Sequence, residues 1–236
     1  MTYPDITTGT FLSRPNRFLA HVLIDGADTL CHVKNTGRCR ELLQPGARLI
    51  LQHHDNPARR TAYSVIGVYK GDMLVNMDSQ APNQAAYEWA LDGADGLFGT
   101  VLQVKREKTY GNSRFDLYLE TSDENGVMHK IFVEVKGVTL EQDGVARFPD
   151  APTERGVKHV DALAACVREG YEAAILFVIQ MKGITRMEPN WGTHAAFGEA
   201  LCRAQQAGVR LLAYDCLVTE DSMRLDQPLS VELARR

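Results

Sequence analysis

The spacing of apolar residues changes once along the chain. As far as Asp78 they come in short runs separated by turn formers. These are 18–24 before Asp25-Gly26, 30–33 before Asn35-Thr36-Gly37, 49–51 after Pro45-Gly46, then 61–69 and 73–76 around Lys70-Gly71-Asp72. Runs of this length between turn residues predict strands, and the last two predict a hairpin. Together with a short helical candidate at 40–43, they predict a small barrel of OB type, with a β-sandwich as the alternative. Beyond Pro82 the pattern becomes helical and mixed. Residues 83–91 read as a helix stopped at Gly93, and strands follow at 100–105, 115–120 and 129–138. A helix at 153–169 has Thr153 as its N-cap and Gly170 just past its end. The bounded apolar run 173–180 predicts a central strand covered on both faces. A helix at 194–206 ending at Gly208, then a strand at 209–216, complete the pattern. The order α-β-β-β-α-β-α-β predicts a mixed α/β sheet with helices on its faces. The expected division is a β-barrel domain over 1–80 and an α/β domain over 81–236.

Composition narrows the class. With 236 residues, 44% hydrophobic and 24% charged, the chain has enough apolar material for a substantial core. Disorder and a disulfide-stapled miniprotein are excluded. No apolar stretch approaches the roughly 20 residues of a membrane span. The start, Met1-Thr2-Tyr3-Pro4-Asp5, has neither the basic region nor the apolar block of a secretory signal. A cytoplasmic protein without a membrane partner is expected. Five cysteines, an odd number with no CxxC spacing, predict buried free thiols in a reducing compartment. Lys+Arg 26 against Asp+Glu 30 gives a net charge of −4, which disfavours coating nucleic acid by bulk charge. A polyanion site must then be a local patch.

The candidate chemistry lies in Ser113-Arg114-Phe115-Asp116-Leu117-Tyr118-Leu119 and Phe132-Val133-Glu134-Val135-Lys136-Gly137. Strand alternation places Phe115, Leu117 and Leu119 on one face, with Asp116 and Tyr118 on the other. In the second strand Ile131, Val133 and Val135 share a face, leaving Glu134 and Lys136 opposite. A three-residue loop, Glu124-Asn125-Gly126 with Gly126 left-handed, sets Asp116 directly across from Glu134. A two-residue Asn125-Gly126 turn would shift the register by one and turn Asp116 away. The three-residue loop is the expectation. Facing carboxylates with Cβ atoms about 5 Å apart destabilise a sheet. A divalent cation between them removes that repulsion, and oxygen ligands select Mg²⁺ or Mn²⁺. Lys136, on the same face, would orient or deprotonate a water and hold charge developing on a phosphate.

The surroundings point the same way. Lys105, Arg106, Lys108 and Arg114, with Tyr110 among them, precede Asp116. On the helix from Thr153 the apolar stripe is read as Val157, Val160, Ala164 and Val167, which groups Arg155, Lys158 and His159 on the opposite side. Basic and aromatic groups around a carboxylate pair suit a phosphodiester. Other features carry less. Gly93, Gly96 and Gly99 lack dinucleotide-loop spacing, and there is no Walker loop. His53-His54 read as surface imidazoles, and Trp89 and Trp191 as packing residues.

These residues resemble the sugar fermentation stimulation protein A family over nearly the whole chain. The matching stretches are Asn16-Arg17-Phe18-Leu19-Ala20, Lys34-Asn35-Thr36-Gly37-Arg38, Lys108-Thr109-Tyr110-Gly111-Asn112-Ser113-Arg114-Phe115-Asp116 and Val133-Glu134-Val135-Lys136-Gly137-Val138-Thr139-Leu140. Arg147-Phe148-Pro149-Asp150-Ala151, Arg155-Gly156-Val157-Lys158-His159 and Gly208-Val209-Arg210-Leu211-Leu212-Ala213-Tyr214 continue the match. The resemblance implies an OB-like nucleic-acid-binding barrel followed by a domain of the PD-(D/E)XK nuclease superfamily. It also implies DNA as the partner. By the superfamily's pattern, Asp116 and Glu134 are the metal-binding acids, Lys136 the catalytic lysine and the Val135 carbonyl a third ligand. Glu88 is a further candidate carboxylate. Two departures stand out: Phe115 where proline is the pattern, and Gly137 where asparagine usually follows the lysine. Gly137 is expected to loosen that strand end without removing a ligand.

Two readings follow. One is a Mg²⁺- or Mn²⁺-dependent nuclease in which Asp116, Glu134 and Lys136 direct water onto a phosphodiester. The other is a DNA-binding regulator of sugar (maltose) utilisation without chemistry, since many folds of that superfamily bind without cutting. In both, Arg14, Arg17, Asn35 and Arg38 on the barrel help grip the backbone, with Lys108, Tyr110, Arg114, Arg155, Lys158 and His159 on the second domain. A homo-oligomer is compatible with both readings.

Overall fold

The structure, a computed structural model, describes residues 1–35 and 37–235. Thr36, which belongs to a turn and a family stretch noted above, lies outside the described residues. The first half forms six strands: β1 (Ile6–Asn16), β2 (Leu19–Ile24), β3 (Ala27–Val33), β4 (Arg48–His53), β5 (Tyr63–Lys70) and β6 (Met73–Asn76). They run in the order β3-β2-β1-β4-β5-β6, and a parallel pairing of His32 with Ser64 and Val33 with Val65 joins β3 to β5. That pairing closes β1–β5 into a five-stranded OB-like barrel and decides against the sandwich. β1 was not anticipated. Its sequence, ITTGTFLSRPN, has little apolar period, and within it only Phe11 is buried. It is held as a strand by pairing to β2 and β4. The helical candidate at 40–43 is instead a single turn, in which the Leu42 and Leu43 N–H groups donate to the Cys39 carbonyl.

The second half contains α1 (Ala81–Leu91), α2 (Glu154–Arg168) and α3 (Trp191–Gln206) around one sheet. Its strands are β7 (Thr100–Tyr110), β8 (Ser113–Ser122), β9 (Met128–Val138), β10 (Glu141–Gln142), β11 (Val145–Phe148), β12 (Glu172–Ile179), β13 (Arg186–Pro189), β14 (Arg210–Val218) and β15 (Met223–Val231). The spatial order is β10-β11-β13-β15-β14-β12-β9-β8-β7. β12 is buried from Ala173 to Ile179 and runs parallel to β9 and β14, as its continuous apolar run requires. The short or polar strands β10, β11, β13 and β15 were not anticipated. The Thr153 hydroxyl caps α2 by accepting the Gly156 N–H at 3.0 Å. α3 begins earlier than expected, at Trp191, capped by Asn190; His194 itself departs from helical geometry.

α1 lays Ala85, Ala86, Trp89 and Ala90 on one face of the sheet, over Leu117, Val133, Leu176 and Val178. On the other face α2 and α3 bring Val160, Leu163, Phe197 and Leu201 onto Ile175 and Phe177. This second core is continuous with the barrel core of Leu49, Val65 and Met77. The seam between the halves also carries polar contacts. The buried Gln180 amide donates to the Asn76 carbonyl and side chain and to the Asp78 carbonyl, at 3.0, 3.1 and 3.2 Å. Asp78 in turn accepts from Lys34 at 3.0 Å. Both tryptophans pack: Trp89 sits against Phe98 and Tyr214, and Trp191 covers Gly198. Four of the five free cysteines are buried. No helix among the described residues is long and apolar enough to cross a membrane.

Candidate active site

The β8–β9 hairpin carries the carboxylates. Ser122 pairs with Met128, and the ladder runs in constant register to Leu117↔Val133. The loop is Glu124-Asn125-Gly126: the Asp123 N–H donates to the Val127 carbonyl at 3.0 Å, and Gly126 adopts φ +79. The Asp123 carboxylate accepts the Asn125 and Val127 N–H groups, fixing the turn. One residue beyond the last pair the strands cease to be a simple ladder. Asp116 Oδ2 accepts the Val135 N–H at 2.8 Å, so the side chain takes a backbone donor across the strands.

The alternation expected around Asp116 is broken. Phe115 does not share a face with Leu117 and Leu119; its ring joins Tyr110, Phe132 and His159 on the α2 side. On β7 the ladder passes from Arg106↔Leu117 to Lys108↔Phe115, stepping over Glu107 and Asp116, and Glu107 has φ +54. Asp116 therefore stands at a distortion of β8.

Glu134 is buried on the α2 side of β9. Its Oε1 accepts from Lys136 Nζ and lies 2.5 Å from His159 Nδ1. Arg155 Nε donates to His159 Nε2 at 3.4 Å, which makes Nε2 the acceptor and leaves the proton on Nδ1, facing Glu134. Both donors use the same oxygen. Glu134 Oε2 is buried without any hydrogen-bond partner, a costly state for a carboxylate oxygen. Burial, then the neighbouring Glu134 carboxylate, push the Asp116 carboxyl above its usual range; the Val135 N–H, Lys136 and Asn83 oppose the shift. Asn83, on α1, donates to Asp116 Oδ1 at 2.8 Å.

Asp116, Glu134, Val135 and Lys136 line one cleft of about 340 Å³ together with Asn83, Arg114, Arg155 and His159. Of the remaining sequence candidates, Lys108 is exposed outside that wall, with Lys108 and Lys105 Nζ 5.5 and 6.0 Å from the Tyr118 ring. Lys158 is exposed on α2. His159 does not share a polar face with Lys158. The buried stripe of α2 runs through Gly156, His159, Val160, Leu163 and Ala164, so His159 points into the sheet. Tyr110 is also drawn away from a binding surface, its ring packed on Phe115, Phe132 and Tyr171. Glu88 is outside the site, bound by the Met1 amino group and by Gln84; the α1 residue that reaches Asp116 is Asn83. Gly137 is not a loosened end. A Cβ there would lie 2.6 Å from Pro82 Cγ and 2.7 Å from Gln180 Oε1, so close approach demands glycine.

On the barrel, Arg14, Arg17 and Arg38 meet in one depression with Arg40. Arg14 is committed to the chain itself, donating to the carbonyls of Gly37, Arg38, Arg17 and Asn35 at 2.7 to 2.9 Å. Arg17 and Arg38 are exposed, and Asn35 accepts the Gly37 N–H to shape the loop. His53 and His54 are half-exposed; His53 packs on Tyr63 and His54 contacts the Ser64 hydroxyl.

Comparison with known proteins agrees with this architecture. The family model for the SfsA N-terminal OB domain matches residues 12–77, and that for the sugar fermentation stimulation protein RE domain matches residues 80–222. A sugar fermentation stimulation protein homolog of Clostridium beijerinckii is 52% identical over 233 residues, covering 99% of this chain and 100% of its own length. One from Desulfitobacterium hafniense is 55% identical, with 99% of each chain covered. The solved structure of Pyrococcus furiosus SfsA in complex with Ca²⁺ superposes with a TM-score of 0.82 at 25% identity, over 98% of both chains. The chain belongs to the sugar fermentation stimulation protein family.

Proposed function

We propose that the chain binds nucleic acid and that its cleft hydrolyses phosphodiester bonds with the help of a hard divalent cation, Mg²⁺ or Mn²⁺. The observation that carries this reading is Glu134 Oε2, buried and unpartnered in the wall of a cleft that also holds the Asp116 carboxylate. Asp116, Glu134 Oε2 and the Val135 carbonyl are hard oxygen donors of the kind such ions take. The archaeal relative was solved in complex with Ca²⁺, and an oxygen-seeking ion on so similar a fold supports the same class of ion here. Bound in the cleft, the ion would polarise the phosphodiester and lower the pKa of a water.

The protein's own groups have definable tasks. Asn83 and the Val135 N–H hold the Asp116 carboxylate in place, while His159 and Lys136 fix Glu134 by its other oxygen. Lys136 also has N–H groups to spare for charge developing on phosphate oxygens. Arg114 and Arg155, exposed at the rim, attract the backbone. The test is incubation with supercoiled plasmid and single-stranded DNA, with Mg²⁺ or Mn²⁺ against EDTA, beside Lys136→Ala and Glu134→Ala. Metal-dependent nicking lost in both variants is expected, with DNA binding by Glu134→Ala retained or tightened. Intact cleavage in Glu134→Ala sinks the assignment.

One observation favours the alternative, a DNA-binding regulator of sugar utilisation genes without catalysis. Among the described residues no group of three His, Cys, Asp or Glu side chains is placed to hold a metal, and Lys136 already neutralises Glu134. On that reading Mg²⁺ changes affinity and never the product.

A further inference from the structure

A second cleft adjoins the first. It measures about 460 Å³ and shares Ser79, Gly137 and Thr153 with the carboxylate cleft, so the two abut along these residues. Its walls come from both halves of the molecule. The barrel contributes Asn35, Gly37 and Arg38; the loop after β11 contributes Asp150, Ala151 and Pro152. The barrel wall is braced, because three of the four carbonyls held by Arg14 belong to Asn35, Gly37 and Arg38. The walls also approach closely: a Cβ on Gly37 would lie 2.9 Å from Asp150 Oδ2.

The lining separates two kinds of nucleic acid. Arg38 and Arg147 line the cleft from opposite halves, but Arg147 is paired with Glu188 at 3.5 Å, so Arg38 is the cation the cleft offers to a ligand, and Asp150 adds an acceptor opposite it. Asn35, Thr139 and Thr153 add amide and hydroxyl groups suited to base edges, while the Phe148 ring packs inward on Phe177 and Phe197 and closes the cleft's floor. A duplex site needs a broad cationic face, because its affinity is dominated by phosphate contacts, and this chain carries a net −4. The cleft volume falls in the range of small-ligand sites, roughly 300–1,000 Å³, which admits nucleotides of one strand and excludes a double helix. Base edges are open to side-chain amides, hydroxyls and carboxylates where the strand is unpaired, which is how single strands are read.

We infer that this second cleft holds single-stranded nucleic acid running to the scissile phosphodiester, with Arg38 on a backbone phosphate and Asp150 and Asn35 on base edges. The inference rests on the hydrolytic reading only for what lies at the end of the strand. It makes the substrate an unpaired strand, or an unpaired end of a duplex.

The test is fluorescence anisotropy in EDTA, so that no turnover intervenes. A labelled mixed-sequence 20-mer is compared with its blunt duplex for the wild type, Arg38→Ala and Ala151→Glu. Both altered residues are exposed, so folding is not at stake. The single strand is expected to bind more tightly than the duplex. Arg38→Ala should flatten the single-strand slope of log K against log salt by about 0.7, the value for one phosphate contact. Ala151→Glu should weaken single-strand binding, and neither variant should alter the duplex. Equal wild-type affinity for the two forms overturns the inference, as do variants that weaken both forms alike or neither. Metal-dependent cleavage alongside equal affinity would leave the hydrolytic reading standing and remove this one; a strand preference without cleavage would do the reverse.

Discussion

Placing a methyl group on Gly137 tests the packing that sets the floor of both clefts. The φ of Gly137 is not left-handed, so Gly137→Ala carries no backbone penalty of its own, and its effect is steric. The new Cβ would lie 2.6 Å from Pro82 Cγ, about 1 Å inside the ordinary 3.5–4.0 Å carbon contact. It would also lie 2.7 Å from Gln180 Oε1. Neither neighbour yields easily. Pro82 is a rigid ring in the first turn of α1, and the Gln180 amide makes three hydrogen bonds across the seam. Overpacking of this kind costs roughly 1–3 kcal/mol, and each Gln180 bond lost would add about 1 kcal/mol. A total near 3 kcal/mol corresponds to a drop in Tm of about 6–12 °C for a chain of this size. Thermal unfolding followed by circular dichroism reads it directly. Pro82→Ala removes the nearest clashing atom, so the double variant should recover part of the loss, with a coupling of at least about 0.5 kcal/mol. An unchanged Tm in Gly137→Ala would refute the close approach, and with it the explanation for glycine beside the catalytic lysine candidate.

Asn83→Ala removes a hydrogen bond from Asp116 without touching a proposed ligand atom; calorimetric titration with Mn²⁺ should show about 10–100-fold weaker binding. His159→Ala deletes a buried imidazole donor to Glu134 and should cost about 1.5–3 kcal/mol, read as a lower urea midpoint. In thiol titration with an aromatic disulfide at pH 8, Cys202 should react first, and Cys31, Cys39, Cys166 and Cys216 only on unfolding. Burial raises the Cys31 and Cys166 thiols to about 11 in the folded chain. Because their folded pKa values exceed the unfolded one, the stability they confer is full below pH 9 and lost as pH rises through 11. Unfolding free energies measured between pH 8 and 11 should therefore fall, and a flat profile would count against that burial.

The hairpin register was legible because local chemistry decides it. Gly126 accepts the left-handed conformation and Asp123 ties the turn, so the faces of Glu134 and Lys136 follow from counting. The face of Phe115 did not follow, because no residue in the sequence marks the irregularity where β7 and β8 skip the Glu107–Asp116 pair and Glu107 takes φ +54. An apolar stripe of α2 centred on Val157 puts His159 on the polar side, which the fold reverses. Gly156, with no side chain to mark it as buried, and Leu163 shift that stripe by one position. Asn83 was invisible: an asparagine in the second half-turn of a helix looks like surface, and only the fold brings it to Asp116. β1 and β15 were missed for a related reason. Their strand character is supplied by partners, and β15 carries Asp226 and Pro228 within its length.

The amide of Gln180 has consequences for how the molecule can be cut and how it can move. It is buried in the α/β half, yet its hydrogen-bond acceptors belong to the end of the barrel sequence. Cleaving the chain between Asn76 and Ala81 and separating the pieces would bare an amide on one side and carbonyls on the other, each losing the partner that the intact protein supplies. The same bonds oppose any swing of the barrel away from the sheet. The depression between them is thus shaped before a ligand arrives, and a strand has to be threaded into it rather than clasped.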